Sequence, residues 1–404
     1  MNPTPTVLEG FLEATLDRAP VSLGTRRTGS PHEFYRYPAR FSPRFAAAAI
    51  EHFSLPGDTV LDPFVGGGTT LVEGMRLGRA TIGADLNPLA TFVTRVKTSP
   101  LARSDSNAVE AWLTDLDANV RVNRPEPSFN EWNAEGYFKG LDSPDTWRVR
   151  KLVGLAITAI PTKPARAEMF CRCIVLRTAQ WALDMRRSIP SVPEFREGLK
   201  ANGVAMLRAM QDFATEIKGR STPVVIDAGL PGLADKLLKT DHAVPSLVLT
   251  SPPYPGVYVN YHRWKLRGRH EISAPYWIAD TRDGNGLAHY TMAARAEPTL
   301  DVYFGRLADA FRDLARIVGP ETLVVQMVGF SQPETQLTRY LDAMCDAGFE
   351  EFEVAAVATA EDGRLWRAVP GRRWWTEAKT LKGSAPHTSR EVVLFHQLAR
   401  AGES

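Results

Sequence analysis

Ser251-Pro252-Pro253-Tyr254 sets a hydroxyl, two peptide units without N–H donors and an aromatic ring at consecutive positions, just after the apolar run Leu247-Val248-Leu249. Two successive prolines fix φ, so the corner is rigid and rich in carbonyl acceptors. Such a corner suits an amino group carried on a planar ring. The lone pair of that amine is delocalised, which makes it a poor nucleophile, and a site must accept its hydrogen bonds and align it. Ser251 Oγ and the Pro252 carbonyl are the candidate acceptors, Pro253 completes the corner, and Tyr254 is placed to stack on the ring, with Tyr258 and Tyr261 as neighbours.

A second chemically loaded stretch lies upstream, Val60-Leu61-Asp62-Pro63-Phe64-Val65-Gly66-Gly67-Gly68-Thr69-Thr70. A strand ending near Asp62 runs into three glycines and then a helix, so backbone can approach a nucleotide-like ligand where any Cβ would clash. Seventeen residues after Gly68, at the end of the next apolar strand, Asp85 is placed to accept hydrogen bonds from ribose hydroxyls. No Gly-Lys-Ser/Thr follows the glycines, and their spacing is not Gly-x-Gly-x-x-Gly, so neither a Walker loop nor a dinucleotide fingerprint is present. Asp62 either caps the loop or touches ligand.

The elements that must carry these residues alternate. The pattern predicts a helix at 43–53, strands at 59–61 and 80–84, helices at 70–77 and 88–97, and then, after a long gap, strands at 223–226, 246–249 and 321–328. Helices are expected at 300–317 and 332–347, with a terminal antiparallel pair of strands around 351–357 and 390–396. This is an α/β chain with a sheet of about seven strands, mostly parallel. Residues 101–220 read differently, with apolar periodicity at helical spacing over 109–116, 147–160, 167–183 and 195–217, so a mostly helical insertion interrupts the sheet. The expected organisation is a tail over 1–30 with a short helical pattern at 7–16, a catalytic domain over 31–100 and 221–400, and the insertion over 101–220.

Composition sets bounds. A hydrophobic fraction of 44% and a charged fraction of 23% fit an ordinary folded chain of 404 residues. No apolar run approaches membrane-spanning length and the first residues lack signal-peptide regions, so the expectation is a cytoplasmic protein with no membrane partner. Cys171, Cys173 and Cys345 are too few and too poorly spaced for a four-cysteine zinc site or a disulfide framework; all three read as small core residues, and no metal is expected. A net charge of +2 means that any contact with nucleic acid must come from local clusters.

With both motifs in hand, the chain resembles the amino-methylating DNA methyltransferases that use S-adenosylmethionine, particularly the cytosine-N4 type. Thr250-Ser251-Pro252-Pro253-Tyr254 carries the resemblance; in that family Asp-Pro-Pro-Tyr or Asn-Pro-Pro-Tyr usually marks adenine-N6 enzymes and Ser-Pro-Pro-Tyr cytosine-N4 enzymes. Tyr37-Pro38-Ala39-Arg40-Phe41-Ser42-Pro43 resembles the family segment near the methionine end of the cofactor. Gly83-Ala84-Asp85-Leu86-Asn87-Pro88 and Asp227 resemble further cofactor positions, the last near the adenine amino group. The resemblance, carried by motif over residues 32–97 and 223–265, implies a Rossmann-like methyltransferase fold. It implies cofactor contacts at Phe41, Asp62, Phe64, Gly66, Gly68, Thr69, Asp85, Asn87 and Asp227, catalytic positions at Ser251 through Tyr254, and base extrusion. The insertion departs from a compact family member. A carbon-5 cytosine enzyme would need a nucleophilic cysteine, usually after proline, and none of the three has that context, so covalent catalysis is not expected.

Two segments interleave cations with aromatics, as phosphate contact and stacking require. One contains Arg263, Trp264, Lys265 and Arg267, the other Trp366, Arg367, Arg372, Arg373, Trp374 and Trp375. Their alternative reading is core tryptophans beside a solvated arginine face. The resulting expectation is transfer of a methyl group to the N4 amine of cytosine in double-stranded DNA, as part of a restriction-modification system with a cognate restriction endonuclease. Adenine-N6 or RNA-base methylation and a catalytically silent DNA-binding module remain alternatives.

Overall fold

The computed structural model describes residues 11–15, 30–37, 41–125, 129–239, 242–255, 263–268, 270–283, 292, 297–330, 332–352, 354, 362–368 and 390–399. Its strands are β1 (Thr59–Asp62), β2 (Ala80–Asp85), β3 (Val224–Asp227), β4 (Leu247–Thr250), β5 (Trp264–Leu266), β6 (His270–Ile272), β7 (Leu323–Gly329), β8 (Phe349–Glu351), β9 (Leu365–Ala368) and β10 (Arg390–Leu398). Eight of them form one sheet in the order β3-β2-β1-β4-β7-β10-β8, with β9 also paired to β10. The five strands from β3 to β7 are parallel, and β10 runs antiparallel to β7, β8 and β9. Strands β8 and β9 lie end to end along the outer edge of β10, at Leu398–His396 and Val393–Arg390 respectively, which is why the sheet has one strand more than the expected seven.

The centre of the sheet is apolar on both faces, as a parallel sheet covered by helices must be. All four residues of β1 and of β4 are buried. Side chains alternate across the pleat. Val60, Leu247 and Leu249 pack on one face with helix α1 (Pro43–Phe53), while Leu61 and Val248 pack on the other with Leu307, Phe311 and Leu314 of a later helix. Helix α1 starts where Ser42 Oγ accepts from Phe45 N and Pro43 supplies a preset φ at the first turn. Helix α2 (Thr69–Arg76) follows the glycine loop, and α3 (Pro88–Thr98) is capped by Asn87, whose side chain accepts from Leu89 N.

Between α3 and β3 the chain forms a helical lobe: α4 (Arg103–Asn119), α5 (Phe129–Ala134), α6 (Trp147–Thr158), α7 (Ala165–Leu183) and α8 (Val192–Glu216). Helix α7 sits at its centre. It buries Phe170, Cys171, Cys173, Ile174, Val175 and Leu176, positions distributed round most of the axis, so apolar neighbours cover most of its surface. The short hairpin β5–β6 and helix α10 (Ala274–Ala279), which follows the short α9 (Leu233–Leu237), pack into this same core through Trp264, Leu266, Ile272, Tyr276 and Trp277. Residues 264–279 thus leave the sheet after the Pro-Pro corner and join the helical lobe. The chain returns through α11 (Glu297–Ala315) to β7, and α12 (Pro333–Asp346) precedes β8.

Several boundaries differ from the sequence reading. Of the expected strand at 351–357, Glu351 closes β8 (Phe349–Glu351), while 353 and 355–357 lie outside the described residues. Of the expected 7–16 helix, residues 11–15 are described and helical. Cys171 and Cys173 are buried as expected, but Cys345 is exposed. It lies one position past Met344, the last residue of the buried stripe Gln336, Tyr340, Ala343 and Met344 on α12. Among the described residues no helix is long and apolar enough to cross a membrane, and no group of His, Cys, Asp and Glu could hold a metal.

Candidate functional site

The chain leaves β1 toward β2 on one side, while β4 joins β1 on the other, so the strand order reverses between β1 and β4. Ligands in open α/β sheets bind outside the carboxyl ends of the strands at such a point. A cleft of about 390 Å³ opens there, within the size range of small-molecule sites. Its walls come from the ends of three strands: Pro63, Phe64 and Gly66 after β1, Asp85 to Asn87 after β2, and Ser251 and Pro253 after β4. The structure therefore brings the glycine loop, Asp85 and the Ser-Pro-Pro corner to one cavity, although Gly66 and Ser251 are far apart in sequence.

The loop is held from below. Gly66 (φ 48°) and Gly68 (φ 76°) adopt left-handed conformations that favour glycine. A Cβ on Gly68 would lie 2.9 Å from Thr94 Oγ1, so this residue is required by packing against α3, and it is absent from the cleft lining. Thr94 Oγ1 donates to the Gly66 carbonyl at 3.2 Å and the buried Lys97 ammonium to the Gly67 carbonyl at 2.8 Å. With its carbonyls turned to α3, the loop sends the Gly66 N–H to Asp85 Oδ2 at 2.9 Å, while Asn87 N donates to Oδ1 at 2.8 Å. Burial pushes the Asp85 carboxyl up to about 6 against these two hydrogen bonds, and the charges of Asp62 and Asp227 add to the rise. Each oxygen keeps a further lone pair for a donor in the cleft.

Asp62 has a different part. It is 2% exposed and lies beneath the cleft, accepting from Thr70 Oγ1 at 2.7 Å, Thr250 Oγ1 at 2.7 Å and Phe64 N at 3.2 Å. Burial raises its carboxyl to about 6 in spite of those three bonds. It ties β1, α2 and β4 together at the root of the site. Thr69 is likewise buried, at the first turn of α2, and is not in the lining.

Other expected positions fall elsewhere. Phe41 is buried against Phe45, ring centroids 5.5 Å apart, in the core on the α1 face of the sheet; among the described residues of its segment, Tyr37 reaches the cleft. Asn87 lines the cleft and is fixed by Tyr37 and Tyr276, its Nδ2 donating to Tyr37 Oη at 3.3 Å and its Oδ1 accepting from Tyr276 Oη at 3.2 Å. Asp227 is turned aside: its carboxylate pairs with Arg95 at 2.8 Å and accepts from Thr91 Oγ1. Burial acts to raise it, but the bonds from Arg95 and Thr91 and the charges of Arg95 and Lys236 outweigh this and hold it below the usual carboxylate range. The cleft wall beyond β3 is built instead by Gly229, Leu230 and Pro231.

Tyr254 is 8% exposed, not an open stacking platform. Its hydroxyl donates to Glu391 Oε1 at 2.9 Å and accepts from Ser251 Oγ at 3.2 Å, and its ring fills the space left by the missing side chain of Gly329. Tyr258 and Tyr261 lie outside the described residues. The Pro253 carbonyl accepts from Tyr303 Oη at 2.6 Å. Sequence reasoning missed Tyr303 and the α11 residues Arg306, Asp309 and Ala310 that close the cleft, because no local motif ties them to a site fifty residues away. Tyr37 and Gly229-Leu230-Pro231 had a signal: the first opens the 37–43 segment, and the second is a turn directly after a strand end.

Of the candidate nucleic-acid contacts, Arg263 pairs with Asp283 at 2.6 Å and Arg267 with Asp145, while Lys265 is half-buried within β5 and its backbone N–H donates to Asp184 Oδ1 at 3.0 Å. Trp264 is 2% exposed and donates from Nε1 to Tyr35 Oη, so the core reading holds for that tryptophan. Arg367 pairs with Glu391 and Trp366 Nε1 donates to Asp362 at 2.8 Å. Arg372, Arg373, Trp374 and Trp375 lie outside the described residues.

Residues 21–91 match a family described as DNA methylase, N6_N4_Mtase. Three curated relatives match over short stretches. The type II methyltransferase M.MvaI of Kocuria varians is 32% identical over 102 residues, 24% of this chain and 22% of its own. M.MjaII of Methanocaldococcus jannaschii is 34% identical over 91 residues, 22% of this chain and 16% of its own. M.BsoBI of Geobacillus stearothermophilus is 40% identical over 77 residues, 19% and 15% respectively. The matches thus span about a fifth or less of those relatives' lengths. A solved structure, the rRNA methyltransferase aviRa from Streptomyces viridochromogenes, overlaps 77% of this chain and 84% of its own at 13% identity, with a TM-score of 0.30.

Proposed function

We propose that this chain is an S-adenosylmethionine-dependent DNA methyltransferase that modifies the exocyclic N4 amine of cytosine. The observation that carries the reading is the single cleft in which Gly66 and Asp85 face Ser251 and Pro253 across the ends of adjacent strands. The match of residues 21–91 to a DNA methylase family and the three type II methyltransferase relatives support the reaction class. Cytosine rather than adenine rests on Ser251 in the first position of the Pro-Pro corner.

The residues present fit the methyl donor. A carboxylate already held by two backbone N–H groups, with lone pairs left for ribose hydroxyls, stands beside a left-handed glycine and apolar walls from Phe64, Leu86, Leu230 and Pro231. When bound, S-adenosylmethionine supplies an electrophilic methyl group on a positively charged sulfur. On the other side of the cleft, Ser251 Oγ and the Pro252 carbonyl accept from the target amine and align its nitrogen, while Tyr303 immobilises the corner through the Pro253 carbonyl. The prolines put no N–H donor in the corner, which leaves their carbonyls as acceptors beside the Ser251 hydroxyl. A base inside a duplex cannot reach this cavity, and extrusion of the target nucleotide is part of the proposal. So are a restriction-modification role, a cognate endonuclease and a cytoplasmic location.

The test is transfer of radiolabelled methyl from S-adenosylmethionine to double-stranded DNA, followed by nucleoside mass spectrometry, for wild type and Ser251→Ala. Label in 4-methylcytosine, reduced about 10²-fold in the variant, is expected. Label in 6-methyladenine overturns the cytosine assignment, and absence of label on DNA and RNA overturns the enzyme reading.

A further inference from the structure

Behind Ser251 runs a chain of polar groups that the proposed reaction does not use. Ser251 Oγ lies 3.2 Å from Tyr254 Oη, which lies 2.9 Å from Glu391 Oε1, and Glu391 Oε2 accepts from Arg367 Nε at 2.8 Å and from Arg367 Nη2. Tyr254 and Glu391 are 8% and 6% exposed, and the Arg367 side chain 10%. The components come from distant elements. Ser251 and Tyr254 follow β4, and Glu391 stands opposite Gly329 of β7 and Arg367 of β9. Gly329 makes the arrangement possible, because a Cβ there would lie 2.8 Å from two carbons of the Tyr254 ring and 3.4 Å from Glu391 Cγ.

The chemistry of the chain fixes the direction of every hydrogen bond in it. A carboxylate in an ion pair with arginine only accepts. Tyr254 must therefore donate to Glu391, which leaves its oxygen as an acceptor, and the Ser251 hydroxyl proton points into that oxygen. Ser251 Oγ then faces the cleft with lone pairs and no proton. A free serine hydroxyl is a donor or an acceptor as its partner demands, whereas this one is held as an acceptor.

We infer that Glu391, acting through Tyr254, is a positioning residue that sets Ser251 as a hydrogen-bond acceptor toward the cleft and so selects a substrate group that donates, an amine, over one that accepts, a carbonyl. The inference deepens the proposed amine methylation and rests on it. Glu391 touches neither substrate nor donor, and the two hydrogen bonds from Arg367 hold it in place. An ion pair so deep in a sheet is costly to desolvate, and a constraint on the polarity of the site accounts for its presence.

Glu391→Gln keeps the shape but puts an N–H donor opposite Tyr254 Oη. Tyr254 then turns its proton to Ser251, and Ser251 turns its own proton to the cleft. The expected result is a kcat for labelled methyl transfer to unmethylated double-stranded DNA at least tenfold below wild type, with the Kd for S-adenosylmethionine, read by calorimetry, within twofold. The double variant Glu391→Met, Arg367→Met replaces the pair by apolar groups of similar length, gives Tyr254 Oη no new acceptor, and guards against misfolding from an unpaired buried guanidinium. A merely structural ion pair predicts recovery of kcat in the double variant, and that recovery overturns the inference. Equal kcat in wild type and Glu391→Gln also overturns it while leaving the methyltransferase reading intact. A wild-type chain that transfers no label sinks the methyltransferase reading first and this inference with it.

Discussion

Asp62→Asn separates structure from ligand contact at the root of the cleft. The carboxyl is 2% exposed, and burial raises it from 3.8 to about 6. Because the folded state holds the proton more tightly than the unfolded chain, the contribution of this group is most favourable below pH 3.8 and is lost as pH rises through about 6. The loss amounts to about 3 kcal/mol once the group is fully ionised. Asparagine does not titrate. Its Oδ1 can still accept from Thr250 Oγ1 and Phe64 N. Its Nδ2 meets Thr70 Oγ1, which has a second acceptor in the Leu249 carbonyl at 3.3 Å and can redirect its proton there. The rearranged bonds cost about 1 kcal/mol at every pH. The stability of Asp62→Asn minus that of wild type is therefore expected to rise by about 3 kcal/mol between pH 3.5 and pH 8, turning from negative to positive. Urea unfolding followed by tryptophan fluorescence at a series of pH values measures this difference, and other titrating groups cancel in it. Affinity for S-adenosylmethionine at pH 8 should change less than threefold, since Asp62 is outside the cleft lining. A flat difference, or one that falls with pH, refutes the assignment of the raised carboxyl to desolvation.

Asp85 titrates in the cleft itself, and hydroxyl donors favour its ionised form, so the Kd for S-adenosylmethionine should be constant above about pH 6 and weaken toward tenfold per pH unit below it. Calorimetry from pH 5 to 8 reads this, Asp85→Asn should remove the pH dependence, and a wild-type Kd that is level across the range counts against the role. Gly83→Ala places a Cβ 2.7 Å from Val65 Cγ2 and 2.9 Å from Leu71 Cδ2, all buried around the glycine loop. It should cost about 1–3 kcal/mol in urea unfolding, and an unchanged midpoint and slope would show that the loop yields freely.

What the sequence made legible was local. The alternation of strands and helices around 43–98 depends on neighbours a few residues apart, so β1, β2 and their helices fall close to the expected bounds. Gly66, Asp85 and Ser251 were found because each follows an apolar strand, and the ends of adjacent parallel strands must converge. Phe41, Thr69 and Asp227 belong to the same short segments but do not reach the cleft, since a motif places backbone and not side-chain direction. Phe41 turns into the core of α1, and Asp227 meets Arg95, a helix residue no strand motif could announce. Residues 264–279 were assigned to the sheet domain by position along the chain, yet Trp264 and Trp277 are 2% and 3% exposed in the core of the helical lobe. Tryptophan between arginines reads equally well as a stacking surface or as buried packing, and the register of a hairpin decides which.

The Ser-Pro-Pro-Tyr corner shows the same division at the level of chemistry. Four consecutive residues can specify which atoms stand at a strand end, but not which way a hydroxyl proton points. That direction is set 137 residues away, where Glu391 meets Tyr254 across the antiparallel end of the sheet. Parallel strands with helical crossovers bring the glycine loop, Asp85 and the corner together. The antiparallel strands β9 and β10 then bring a charged pair under the corner from the far edge, close enough to orient it and too deep to meet the ligand. A Ser-Pro-Pro-Tyr segment lacking an acceptor beneath its tyrosine would present a serine able to donate as well as accept. On the proposed reading, discrimination between amine and carbonyl resides in the union of corner and sheet edge, and grafting the tetrapeptide alone onto another strand end is expected not to transfer it.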